Sequence, residues 1–137
     1  TMASIFELES PTFARETSGI TVVAAGNEAT TLTAAQCVDS LVRMTPSAGR
    51  NVTTATAAAI VAEIVGCKVG SSFRLILRNE ASATHAMTLV GGTGVTLHSD
   101  NTNTAAAAAT REFIGEVTAV DSGSEAITIY SMPSGAH

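Results

Sequence analysis

The chain has 137 residues, a net charge of −5 and a charged fraction of only 14%, well below the roughly 25% of an average soluble domain. This length fits one domain, and a hydrophobic fraction of 45% excludes an intrinsically disordered chain. No basic cluster is present to bind nucleic acid. The longest apolar run, residues 57–65, is too short for a membrane span and contains Glu63.

The low charge has two interpretations. A protein that covers much of its surface with partner molecules needs fewer charged side chains, because interfaces are depleted of lysine and glutamate. The chain has a single lysine, Lys68, and alanine, threonine, serine and glycine occupy many of the positions that charged residues usually fill. We therefore predict a protein that assembles. The alternative is an alanine-rich composition bias without functional meaning.

The first segment, residues 1–16, predicts an extended N-terminal arm that Pro11 interrupts. Its start lacks the charged leader and apolar stretch of a secretory signal. Such an arm either packs on a neighbouring molecule or, more commonly, covers its own core. The apolar side chains available for either role are Ile5, Phe6, Leu8 and Phe13.

The next part of the chain predicts short extended runs and one helix. Residues 20–24 and 30–33 are β-branched and favour extended structure, whereas residues 34–44 fit either a strand or a helix. A short helix is predicted over residues 56–65. Thr56 can cap its first turn, apolar residues recur at helical spacing, and Gly66 is the expected left-handed stop.

From residue 72 onwards the pattern is that of strands. Residues 72–79 (SFRLILRN) alternate, so Arg74 and Arg78 share the face opposite the apolar side chains. Residues 91–94 (GGTG) predict a hairpin turn, and Gly115 predicts a bulge in a long strand. Further strands are predicted at residues 85–90, 95–98, 111–120 and 126–132.

Five or more short antiparallel strands with one helix predict a mainly β fold. The expected architecture is an antiparallel β-sandwich or jelly-roll-like barrel. It forms a single domain over residues 17–132, followed by a loose tail at residues 133–137.

The sequence contains few combinations of residues that carry chemistry. His98 and Asp100, with His85 upstream, make an acid–base or metal site conceivable, but no further ligand stands at suitable spacing and surface histidines are favoured. Glu112 and Glu116 are better interpreted as a solvated strand face than as a glycosidase pair, because the chain has no tryptophan to form a sugar platform.

The remaining motifs favour structural roles as well. The glycine loop at residues 91–94 lacks the lysine of a phosphate-binding loop. Cys37 and Cys67 have no metal-ligand spacing and are expected to be small core residues, with a disulfide as the less favoured alternative. Arg74 and Arg78 either face solvent or meet the carboxylates of a partner. We predict no catalytic residue, no metal and no cofactor.

The order of several short motifs resembles that of small virion proteins of tailed bacteriophages. The resemblance is to capsid decoration (cement) proteins and to head- or tail-fibre modules, and it covers roughly residues 30–131. The motifs are residues 31–36 (TLTAAQ), 56–61 (TAAAIV), 69–75 (VGSSFRL), 78–79 (RN), 92–97 (GTGVTL) and 123–130 (GSEAITIY).

This resemblance implies a structural role without catalysis. A decoration protein is expected to form a homotrimer on the outside of the phage capsid, after synthesis in the cytoplasm of the host bacterium. It stabilises the shell by bridging subunits of the major capsid protein. The alternative is a head-fibre or tail-fibre module that binds a host-surface ligand, although four phenylalanines and one tyrosine are few for stacking on sugars.

Overall fold

The computed structural model describes residues 19–137. This part of the chain is mainly β, as predicted. Two helices are α1 (Ala34–Cys37) and α2 (Ala57–Glu63). The strands are β1 (Thr21–Ala24), β2 (Thr30–Thr31), β3 (Ser40–Met44), β4 (Arg50–Thr53), β5 (Ser72–Asn79), β6 (Met87–Val90), β7 (Val95–Leu97), β8 (Thr104–Ala105), β9 (Ala109–Ala119) and β10 (Ala126–Ala136).

The strands form two sheets whose neighbours do not follow chain order. The large sheet has the order β1-β3-β5-β9-β10-β7, and the small sheet has the order β2-β4-β6-β8. The first six strands alternate between the two sheets, so that β1, β3 and β5 are parallel neighbours in one and β2, β4 and β6 in the other. From β1 to β6 the chain therefore winds back and forth between the two sheets.

This arrangement corrects the prediction that the strands pair antiparallel, and it does not confirm a jelly roll. Among the described residues, β7 also pairs with β10 in parallel, and only β5–β9, β9–β10 and β6–β8 are antiparallel. Parallel neighbours cannot be joined by a tight turn. Here each crossing to the other sheet and back supplies the connection that parallel pairing requires.

The predicted hairpin at residues 91–94 is also wrong, because β6 and β7 lie in different sheets. A side chain at position 92 would collide with the carbonyl oxygens of Thr54 and Ala55. The backbone N–H of Gly92 donates to Thr54 Oγ1 at 2.8 Å. The Thr93 carbonyl accepts the N–H of Ala57 at 2.8 Å. The glycines thus let the chain pass closely against the start of α2 while it changes sheets.

Both helices begin at threonine caps. The Thr56 hydroxyl accepts the N–H of Ala59 at 3.2 Å, which confirms the predicted start of α2. The helix ends at Glu63 rather than at residue 65, and Ile64 is its C-cap in an extended conformation. Gly66 has the expected left-handed φ, +68°, but in the turn that follows the cap. In the segment left open between strand and helix, Thr33 and Gln36 form a capping box around α1. The segment is therefore helix first and strand afterwards, and residues 19–137 contain one helix more than was predicted for them.

One core lies between the sheets and the helices, and it includes Cys37. Burial raises the pKa of the Cys37 thiol, although Sγ accepts the N–H of Ala55 at 3.3 Å. Cys67 is partly buried, and both cysteines are free thiols in the structure. The largest fully buried side chains include Phe113, Met44, Ile60, Leu75, Leu77, Met87, Leu89, Ile127 and Ile129.

The two ends of the chain were predicted to be an extended arm and a loose tail. Residues 133–137 were predicted to be a loose tail, but β10 continues to Ala136 and pairs it with Ala109. Arg111 holds this extension by donating to the Met132 carbonyl at 2.6 Å and to Ser134 Oγ at 3.1 Å. The predicted arm, residues 1–16, lies outside the described residues.

Candidate interaction surface

The outer face of the large sheet carries both arginines singled out from the sequence. Alternation along β5 buries Phe73, Leu75 and Leu77, and turns Arg74 and Arg78 outwards on either side of Ile76. Their side chains are 51% and 39% exposed, so both are accessible to a partner. The prediction that they share one face is confirmed by this burial pattern.

Arg78 belongs to a cluster of three charges on this face. Arg43, its register partner on β3, donates through Nε and Nη2 to the two carboxylate oxygens of Glu80, both at 3.2 Å. Arg78 Nε donates to Glu80 Oε2 at 3.1 Å. The hydrogen bonds from Arg43 and Arg78 lower the pKa of Glu80, and the bond to Glu80 raises the pKa of Arg43. Two like charges on adjacent strands are thus held by one shared carboxylate.

Arg74 has partners on both neighbouring strands. Its Nε donates to Glu112 Oε2 on β9, and its backbone N–H donates to Asp39 Oδ1 at 3.0 Å, at the residue before β3. Glu112 was predicted to be merely solvated, but it forms an ion pair with Arg74. The arginines expected to meet a partner's carboxylates therefore already have carboxylates of their own.

These pairs still leave donors for a partner. Arg74 and Arg78 each use only Nε in side-chain bonds within the described residues, and a guanidinium carries five N–H groups. Their terminal amino groups can therefore bind a second carboxylate without breaking the first pair. The positive charge of the arginines is largely neutralised by Glu80 and Glu112. The face therefore offers directed hydrogen-bond donors rather than a strong positive field.

An aliphatic row runs between the charged pairs. Val22, Leu41 and Ile76 lie directly beside one another on β1, β3 and β5. Val22 is 58% exposed, and the other two are partly exposed. We call these three residues the aliphatic row. It was not predicted, because sequence alternation assigns a residue to a face without showing which strands are neighbours.

A shallow depression lies at one end of the same face. It has a volume of about 170 Å³ and is lined by Ala24, Gly26, Arg43, Met44, Thr45 and Glu80. Pockets for drug-sized ligands are larger, about 300 Å³ or more. The depression is therefore too small to enclose a drug-sized ligand.

The histidine pair considered for acid–base chemistry is placed differently. The Nδ1 atom of His98 accepts the N–H of Asp100 at 3.3 Å, with the carboxylate at 3.9 Å, and the His98 ring packs on Tyr130 with a centroid separation of 5.2 Å. His85 lies just before β6, where its carbonyl accepts Asn79 Nδ2. Within residues 19–137, no group of three or more histidine, cysteine or acidic side chains is arranged to hold a metal ion.

The remaining predicted site residues are Ile5, Phe6, Leu8 and Phe13, and they lie outside the described residues. Neither helix in residues 19–137 has the length and apolar character needed to span a bilayer. Comparison with protein-family models, with curated proteins and with solved structures finds no match to this chain.

Proposed function

We propose that this chain is a virion structural protein that binds the outside of a phage capsid and stabilises the shell. It acts without catalysis or cofactor, as a homo-oligomer, most simply a trimer, that bridges subunits of the major capsid protein. The observation that carries the proposal is the outer face of the large sheet, where an exposed aliphatic row lies between two groups of paired charges. The motif resemblance to decoration proteins names the class of partner.

Several features of the described residues support a contact role. Interfaces combine an apolar centre with a polar rim, and arginine is enriched there whereas lysine is depleted. The face has this composition, with the aliphatic row in the centre and Arg43, Arg74 and Arg78 around it. Contiguous exposed apolar patches, unlike scattered single residues, commonly mark sites of interaction. Of the exposed large apolar side chains in residues 19–137, Ile20 and Val22 lie at the β1 edge of this face, next to Leu41, whereas Val65 and Val69 lie between α2 and β5.

The proposed mechanism is mechanical. The two sheets, which we take as a β-sandwich module, provide a rigid face because every outward residue is fixed by the strand on which it lies. Each copy contributes a modest contact, and several contacts made together by one oligomer give a high overall affinity. Binding across the boundary between capsid subunits then opposes the outward pressure of packaged DNA.

Co-sedimentation with capsids that lack this protein tests the proposal. Purified chain is mixed with compact and with expanded shells, and we expect saturable binding of many copies to the expanded form. Ile76→Asp places a charge in the aliphatic row and should weaken binding roughly tenfold or more. Asn51→Ala, an exposed position on the small sheet, should bind like the unchanged protein.

Two outcomes would contradict the proposal. Absence of binding to either shell would remove it and favour the head-fibre or tail-fibre module, which is present in few copies per particle. Binding of Ile76→Asp as tight as that of Asn51→Ala and of the unchanged protein would show that the outer face of the large sheet is not the contact surface.

A further inference from the structure

The edge strand β1 lacks the devices by which proteins protect an open sheet edge. Such edges are normally kept short, or carry lysine, proline or a bulge. The edges of the small sheet, β2 and β8, are only two residues long. β1 is a four-residue edge with the sequence TVVA, and within residues 19–137 no strand lies on its other side. The other edge of the large sheet, β7, has three residues, so β1 is the longest open edge in this part of the chain.

At alternate residues of β1, the backbone N–H and C=O groups point away from β3 and have no strand partner within residues 19–137. The N–H groups of Thr21 and Ala25 donate towards β3, to the carbonyls of Asp39 and Arg43, at 3.0 and 2.8 Å. Because the direction of these groups alternates along a strand, the N–H and C=O of Val22 face away from β3. The same holds for the residues two positions before and after Val22, which are Ile20 and Ala24.

We propose that β1 pairs antiparallel with β1 of a second copy, around a two-fold axis that passes Val22. In this register Val22 of one copy and Val22 of the other form a hydrogen-bonded pair. On either side of it, Ile20 of one copy lies opposite Ala24 of the other. Each pair exchanges two backbone hydrogen bonds. All three residues lie on the outer face of the sheet, and a perpendicular two-fold axis keeps that face on the same side in both copies.

The side chains are complementary under this symmetry. Ile20 is 45% exposed and meets the small side chain of Ala24, while Val22, 58% exposed, meets its own copy. The aliphatic row then continues across the axis into the row of the second copy, so that six aliphatic side chains form one line. An isologous contact must match itself in this way.

The charges near the edge are compatible with the same register. No charged residue lies on β1 itself. One strand further in, Arg43 stands beside Ala24, and Asp39 precedes the register partner of Thr21. Because Ile20 faces Ala24 across the axis, Arg43 of one copy and Asp39 of the other fall in one cross-strand row. The two groups are three strand spacings apart, about 14 Å, so they do not attract one another strongly. What the register provides is that no like charges face each other at the edge.

This inference goes beyond the proposed function, because the contact joins two copies without a shell. A two-fold contact cannot by itself build a trimer, so it would link two rings or form a dimer of the free protein. The test uses the purified full chain in the absence of capsids. Its failure therefore leaves the outcome of the shell-binding experiment unaffected.

Cysteine cross-linking tests the register. In a Cys67→Ser background, which removes the partly buried thiol, Val22→Cys places two sulfurs across the axis. Hydrogen-bonded antiparallel partners have a Cα separation of about 5.5 Å, within the range that a disulfide spans. We expect mild oxidation to convert most of the protein to a covalent dimer. Ala24→Cys, whose two copies would be ~13 Å apart along the strands, should give at least tenfold less dimer.

Sedimentation velocity tests the contact without cysteines. Val22→Pro removes only an N–H that faces away from β3, so β1 stays in the sheet while the edge is blocked. Val22→Lys leaves the backbone intact and opposes two positive charges on the axis. Both variants should raise the dimer dissociation constant at least tenfold. A monomeric unchanged protein, an oligomer that both variants leave intact, or equal cross-linking of Val22→Cys and Ala24→Cys would each overturn the proposal.

Discussion

The ring of Phe73 packs directly over the backbone of Gly115, its register partner on β9. A Cβ atom at position 115 would overlap that ring, and both residues are buried. Gly115 was predicted to mark a bulge, but the pairing of β9 is regular there, and the register shifts of β10 lie near Ile127 and beyond Ser131. The glycine is required for a close approach rather than for a bend in the strand.

Gly115→Ala should therefore destabilise the fold by about 1–3 kcal/mol, because a buried ring must move to make room. Denaturant unfolding followed by circular dichroism measures this change. Adding Phe73→Leu should recover part of the loss, since the smaller side chain leaves space for the new methyl group. Gly49→Ala, where a Cβ meets nothing within 4 Å, serves as control. A Gly115→Ala protein as stable as this control would contradict the packing argument.

The buried side chain of Asn79 connects three parts of the fold at the end of β5. Its Nδ2 donates to the carbonyls of His85 and Ala105 at 2.8 and 2.9 Å, and its Oδ1 accepts the N–H of Ala81 at 3.0 Å. Asn79→Ala leaves these groups unpaired in the interior, which should cost about 2–4 kcal/mol. Thermal and denaturant unfolding measure the loss, with the exposed Asn51→Ala as the matched control. Equal stability of the two variants would refute a structural role for this network.

Local features of the fold could be predicted where the residue pattern of a single segment is enough to identify its secondary structure. The alternation of residues 72–79 identifies β5 and both of its faces, and the spacing after Thr56 identifies α2. The alanine run at residues 105–109 has no pattern of this kind. In the structure it holds the end of β8, a turn with Ala108 at a φ of +56°, and the start of β9. Identical residues cannot indicate where a chain turns.

The relations between distant strands could not be predicted in this way. Alternation places Arg74 and Arg78 on one face, but it cannot show that Glu112 and Arg43 lie on the strands beside them. Parallel pairing depends on how crossovers between the two sheets stack, and those crossovers carry no signature comparable to a hairpin turn. Only part of the candidate surface was therefore predicted from the sequence. Two arginines were assigned correctly to a shared face, and the aliphatic row was missed.

The shared carboxylate of Glu80 should make stability depend on pH. Arg43 and Arg78 lower its pKa in the folded state, so the stabilisation is present above the ordinary glutamate pKa, about 4.3. It is lost as the pH falls through the lower folded value. The difference in melting temperature between the unchanged protein and Glu80→Gln should therefore be small but positive at neutral pH, and vanish in acid. A difference independent of pH would contradict the ion-pair explanation.

Salt provides a second measurement of the same cluster. Exposed ion pairs are screened by salt, with a Debye length of about 3 Å at 1 M ionic strength. The Glu80→Gln effect at neutral pH should therefore shrink when the salt concentration is raised from low values to 1 M. Glu63→Gln is the matched control, because Glu63 is exposed on α2 and forms no ion pair within residues 19–137. Its melting temperature should follow that of the unchanged protein under all conditions.

The N-terminal arm gives a prediction about shell binding that is separate from stability. Residues 19–137 already form one contiguous buried core, so we expect deletion of residues 2–16 to leave the domain folded, with a melting temperature close to that of the full chain. If the arm reaches a neighbouring subunit, the deletion should weaken co-sedimentation with expanded capsids. A full-length variant with serine in place of Ile5, Phe6, Leu8 and Phe13 keeps the arm's length and should show the same loss, because apolar contact rather than reach provides the affinity. Unchanged capsid binding by both proteins would remove the arm from the proposed interface and leave the outer face of the large sheet as the contact to be tested.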